Sequence, residues 1–172
     1  MVADRNHEDR LRKVIWTLPG TASELARLRA FGEAMTWANL TQCEEVGWRI
    51  VPPEAQTKTE ILPGIITKHG NVVRKWSAYT ARGEWERYGR SGISGHTHRM
   101  GQFYTRDFNG NHVWTEGGCT CKLDPEYAPD PNWQQGCVVI EHSADAERFA
   151  VHLVYIQDGR AMWRGMDYRA AA

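Results

Sequence analysis

Four of the seven histidines fall in short contexts that suit a metal site: Asn6-His7-Glu8, Lys68-His69-Gly70 and Gly95-His96-Thr97-His98. Neutral imidazole is a good ligand for Zn, Mn, Fe or Ni. Two imidazoles two positions apart, as at His96 and His98, can converge from one side of an extended turn. Glycine next to a histidine frees the backbone to turn tightly, so Gly70 and Gly95 are expected to aim the rings at a common point. The segment Ile93-Ser94-Gly95-His96-Thr97-His98-Arg99 runs from small residues into paired histidines and an arginine, a composition that a core strand has no reason to carry.

Other side chains fit around that chemistry. Arg5 and Arg99 are candidates for a phosphate contact, because a guanidinium matches two phosphate oxygens. The four cysteines, Cys43, Cys119, Cys121 and Cys137, do not form the framework of a small secreted protein. Cys119 and Cys121 are too close for an easy mutual disulfide. They read either as two small half-buried thiols or as a metal pair. Eight tryptophans supply large apolar surfaces; Trp85, Trp114 and Trp133 are expected in the core or along a cleft.

The elements that must position these groups change along the chain. Leu11, Val14, Ile15 and Leu18 lie on one face of a helix over 7–18, which Pro19-Gly20 ends. Leu25, Leu28 and Phe31 mark a second helix over 24–31, and a third stretch covers 34–42. A short strand is expected at 48–51. Beyond Ile61 the pattern becomes short strands: 62–67, 91–95, 103–108, 112–115, 137–141, 149–157 and 161–168. A helix over 76–88 interrupts them, with Ala78, Ala81 and Trp85 on one face. Asn109-Gly110 and Asp158-Gly159 are hairpin turns, and 122–136, with three prolines, is a long loop. Each histidine cluster therefore starts a helix or follows a strand end, where open α/β sheets bind ligands. One mixed α/β domain with a β-rich C-terminal half is the expected architecture.

Composition agrees with a globular domain: 41% hydrophobic and 24% charged residues are ordinary values that argue against disorder. Lys+Arg and Asp+Glu are 21 each, so bulk charge gives no case for an anionic membrane or long duplex DNA, although a nucleic-acid substrate stays open. Mean hydropathy is −0.58, and no apolar run approaches the roughly 18 residues of a spanning helix. A cytoplasmic location without a membrane partner is the expectation.

Asn6-His7-Glu8, His69 after an apolar strand, and Gly95-His96-Thr97-His98 resemble the last three signature blocks of the calcineurin-like metallophosphoesterases. The resemblance implies a four-layer αββα sandwich holding two divalent metal ions (Mn, Zn, Fe or similar), and hydrolysis of a phosphomonoester or phosphodiester by a metal-bound hydroxide. By resemblance, Asn6, His69 and His96 ligate one metal, His98 ligates the other, and His7 assists the leaving group. The family's D-x-H and G-D-x-x-D blocks would precede Asn6, where only five residues stand. The expectation is thus a single domain over 1–172, shortened at its N-terminus, with a single weaker metal site or an upstream polypeptide that supplies the missing ligands. Asp4, Glu8, Asp9 or Asp107 are substitute ligands. The alternatives are a non-catalytic remnant that binds one metal or a partner chain, and a small structural zinc protein using His96, His98, Cys119 and Cys121.

Overall fold

A computed structural model describes Asn39, Gln42, residues 44–47 and residues 58–169. The chain divides into two compact units, Met1–Thr57 and Lys58–Ala172, and every element below lies in the second. The helices expected over 7–18, 24–31 and 34–42 and the strand at 48–51 fall outside the described residues, apart from isolated positions.

The second unit is mixed α/β, with one helix, a five-stranded mixed sheet and a four-stranded antiparallel sheet among the described residues. In chain order these are β1 (Thr59–Leu62), β2 (Ile65–Lys68), α1 (Tyr79–Tyr88), β3 (Ser91–Ser94), β4 (Met100–Asp107) and β5 (Gly110–Gly117). They are followed by β6 (Gly136–His142), β7 (Phe149–Gln157), β8 (Arg160–Trp163) and β9 (Met166–Arg169). The first sheet has the order β1-β2-β3-β5-β4 and the second β6-β7-β8-β9. β2, β3 and β5 run parallel, while β1 and β4 are antiparallel edges.

Alternation along the central strands explains the layers. Ile65 and Val113 point to one side and pack with Val151, Val138, Ile140 and Phe149 of the second sheet. Their neighbours Ile66 and Trp114 point to the other side and meet Ala81, Trp85 and Tyr88 of α1. A strand buried on both faces loses the apolar/polar alternation of a surface strand, and β5 is accordingly buried without a break from Val113 to Glu116.

The small residues of β3 have a steric cause. A Cβ at Gly92 would sit 2.6–2.8 Å from the Trp114 ring, so only glycine lets the indole lie across the strand. Trp114 Nε1 then donates to Ser94 Oγ (3.1 Å), and Tyr88 stacks on the indole at 5.7 Å. One buried tryptophan fixes the end of β3 from below.

Several expectations needed adjustment. The strand expected at 62–67 is two antiparallel strands, because Pro63-Gly64 turns the chain, with Gly64 at φ 80°. The stretch 161–168 splits into β8 and β9 at Arg164-Gly165, where both residues take positive φ. The helix begins at Tyr79 instead of Trp76, since Ala78 at φ 66° is left-handed and cannot continue a helix backwards. It ends at Gly89, whose N–H donates to Trp85 C=O (2.7 Å) in the left-handed conformation typical of helix ends. Both expected hairpins are present, as is the loop before β6.

Candidate metal centre

β2 and β3 are adjacent parallel strands paired Lys68 with Ser94 at their carboxyl ends. The ladder runs one step further, Gly95 N–H donating to His69 C=O (2.9 Å). His69 and His96 therefore leave neighbouring strand ends together. Their rings meet edge-on with centroids 5.0 Å apart, and His69 Nε2 lies 3.0 Å from His96 Nδ1. Residues 27 positions apart in the sequence are joined here by the crossover through α1.

Buried polar groups hold this corner. Glu84, fully buried on α1, pairs with Lys68 Nζ (3.0 Å) and accepts from the Asn71 and Val72 N–H groups, which anchors the chain just past His69. Glu116, fully buried on β5, accepts from Ala78 N–H (2.6 Å) through one carboxylate oxygen and from the Thr97 hydroxyl (2.9 Å) through the other. Thr97 stands between His96 and His98, so one carboxylate pins the turn that carries both rings.

The turn differs from the expected one. Gly70 does take positive φ (104°), but Gly95 does not, and a Cβ there would meet only His69 O at an ordinary 3.6 Å. His96 (φ 62°) and His98 (φ 56°) themselves occupy the left-handed region. Thr97 N–H donates to Gly95 C=O (2.7 Å), closing a three-residue turn around His96. Such conformations cost non-glycine residues about 1–3 kcal/mol each and persist where surrounding structure over-determines them. Here Glu116 and the ladder bond from Gly95 provide that determination.

His98 goes elsewhere. β4 and β5 pair Met100 with Gly117, and the hairpin continues outward through Gly118 N–H to Arg99 C=O (2.9 Å). Past that rung Gln134 wedges between the two chains: its N–H donates to His98 C=O (2.9 Å), and its C=O accepts from Cys119 N–H (3.1 Å). His98 Nδ1 lies 3.7 Å from Cys121 Sγ. One donor atom each from His98, Cys119 and Cys121 falls within a 4.8 Å mutual separation, a group that could hold a metal ion. Trp133 packs edge-on against the His98 ring, with centroids 4.3 Å apart. Burial, with the hydrogen bond to Cys121 second, pushes the Cys119 thiol up to about 11.

Arg99 is buried, with its guanidinium donating to the carbonyls of Lys75 (2.7 Å) and Arg74. Two of its donor groups are thus spent on the loop after His69. Its Nε has no partner, and the residue lines an open cleft of about 260 Å³ with Val73, His96, Thr97, Asn132 and Trp133. Asp107 is also spoken for. It accepts from Asn109 N–H and pairs with His112 (2.8 Å) at the hairpin tip. Trp114 and Trp85 belong to the core and Trp133 to the cleft wall. Arg5, Asn6 and His7 fall outside the described residues, as do Asp4, Glu8 and Asp9.

The structure thus brings together His69 with His96 and, separately, His98 with Cys119 and Cys121. The four-residue zinc set of His96, His98, Cys119 and Cys121 does not form as one group, because His96 pairs with His69. Sequence reasoning missed Glu116 and Gln134, which carry no chemistry of their own but position the residues that do.

The sequence matches no protein-family model and no curated protein. Function therefore rests on the donor groups themselves: a pair of imidazoles at parallel strand ends and an imidazole beside two thiols.

Proposed function

We propose that the chain is a metal-dependent phosphoesterase of the calcineurin-like type, with His69 and His96 as ligands of one divalent metal (Mn, Zn, Fe or similar). The observation that carries the reading is the 3.0 Å approach of His69 Nε2 to His96 Nδ1 beyond the ends of two adjacent parallel strands. Two nitrogens each about 2.1 Å from one ion and about 90° apart lie about 3 Å from one another, so the pair suits cis ligands of a single metal. When bound, the metal supplies Lewis acidity to a phosphate oxygen and lowers the pKa of water. The two packed sheets with α1 on the outer face of the first support an αββα sandwich.

The chain's own side chains have separable tasks in this reading. His69 and His96 bind through neutral imidazole. Thr97, held by Glu116, keeps the His96 ring on the cleft side of the turn. Arg99 offers its remaining Nε–H to a phosphate oxygen in the cleft that it lines, and Trp133 walls the same cleft. No D-x-H or G-D-x-x-D block is present in the sequence, so in this reading turnover by this chain is slow.

The test is hydrolysis of an aryl phosphodiester by the full chain with excess manganese. Slow, manganese-dependent turnover is expected, lost in His69→Ala and in His96→Ala but kept in His142→Ala, whose side chain lies exposed at the end of β6. Turnover that survives both of the first two substitutions contradicts the proposal. So does a rate no higher than that of manganese alone.

A further inference from the structure

His98, Cys119 and Cys121 differ in kind from the imidazole pair. Two sulfurs and one imidazole form a soft to borderline donor set, which favours zinc over magnesium or manganese. We infer that His98 Nδ1, Cys119 Sγ and Cys121 Sγ form a zinc site, and that the ion staples the 118–135 loop to the 95–99 turn. The inference goes beyond hydrolysis: it needs neither a phosphate ester nor the His69–His96 pair.

Geometry supports the choice of metal. With Zn–S about 2.3 Å and Zn–N about 2.0–2.1 Å, a tetrahedral site places nitrogen and sulfur about 3.6 Å apart. The observed separation of His98 Nδ1 from Cys121 Sγ is 3.7 Å. The Cys119 sulfur falls within the same 4.8 Å group, wide enough for the sulfur–sulfur edge of about 3.8 Å that such a tetrahedron has. Its thiol faces Gln134 C=O at 3.5 Å.

The frame that presents the donors is built from backbone bonds. Gly118 N–H on Arg99 C=O, Gln134 N–H on His98 C=O, Cys119 N–H on Gln134 C=O and Gly136 N–H on Cys119 C=O fix three chain segments side by side. Gln135 Nε2 adds a bond to Cys121 C=O (2.8 Å), locating the second cysteine. His98 holds its left-handed backbone (φ 56°) within this frame, and Trp133 buttresses its ring. A site so prepared loses little entropy on binding, since its ligands are already in place.

The consequence is structural and local. Among the described residues the group offers three ligands, and Cys121 is exposed at its outer side. The loop that zinc would clip carries Asn132 and Trp133, which wall the cleft at His96 and Arg99. Zinc at His98 therefore sets the shape of that cleft from one side.

The full chain loaded with one equivalent of cobalt in place of zinc provides the test. A thiolate-to-cobalt charge-transfer absorption is expected, lost in the Cys119→Ser/Cys121→Ser double variant and retained in His69→Ala. Because the double variant could fail to fold, alkylation of the wild-type chain by iodoacetamide gives a second measurement. Zinc is expected to slow modification of Cys119 and Cys121 by about tenfold or more while leaving Cys137, exposed on β6, at its original rate. Absence of the charge-transfer band, its survival in a folded double variant, or zinc-independent alkylation of Cys119 and Cys121 would each overturn the assignment.

Discussion

Two donor groups sit at the ends of the same sheet, but they are held in different ways. His69 and His96 depend on the core: they follow β2 and β3, whose ends are fixed by Trp114 lying over Gly92 and bonded to Ser94. His98, Cys119 and Cys121 depend on main-chain bonds outside regular strands, with Gln134 as the shared partner. The first group is all nitrogen, the second mostly sulfur. A pair positioned by packing should fail when the core is disturbed, whereas a group positioned by backbone bonds should survive as long as its loop stays paired.

The most severe way to break the comparison is Trp114→Ala. Removing a fully buried indole costs about 3–5 kcal/mol, read by chemical denaturation, and frees Ser94 at the root of the His96 turn. Manganese binding by the imidazole pair is expected to weaken strongly. Cobalt bound through the thiolates should keep its charge-transfer band at temperatures where the variant stays folded. Equal loss at both groups would show that the two are not held independently.

A smaller effect is expected where the two groups are joined. Glu116 accepts two hydrogen bonds, one from Thr97 and one from Ala78. In Glu116→Gln the amide oxygen can keep the Ala78 N–H while the NH₂ donates to the Thr97 hydroxyl, whose own proton then loses the carboxylate, at a cost of about 0.5–1.5 kcal/mol. Thr97 links His96 to His98, so metal affinity should fall at both groups together, as titration with manganese and with zinc would show. An unchanged affinity at both would mean that Glu116 supports the fold and not the turn.

Much of this arrangement is legible in the residues. The Asn109-Gly110 hairpin is a local signal of turn chemistry, and its register, extended outward from Asp107 opposite Gly110, already places His98 opposite Cys119. The local strand pattern alone leaves Cys119 and Cys121 as either two half-buried thiols or a metal pair. His69 and His96 after apolar strands were visible as candidates, but their contact depends on β2 and β3 being parallel neighbours, which no local pattern specifies. Gly95 looked like the pivot of the turn, yet the strain falls on His96 and His98, because Glu116 is buried and holds Thr97 from 19 positions away. Arg99 is a phosphate candidate in the sequence, yet the carbonyls of Arg74 and Lys75 that engage it lie 25 and 24 positions upstream. Short-range signals gave the elements. Long-range pairing decided which side chains meet.

The central claim is that His98, Cys119 and Cys121 form a sulfur-bearing group separate from the His69–His96 pair. X-ray absorption at the zinc edge, on the full chain with one equivalent of zinc, tests it most directly. The account predicts two sulfur neighbours at about 2.3 Å with nitrogen or oxygen neighbours at about 2.0 Å, and a shell unchanged by His69→Ala. A shell of nitrogen and oxygen alone would contradict it.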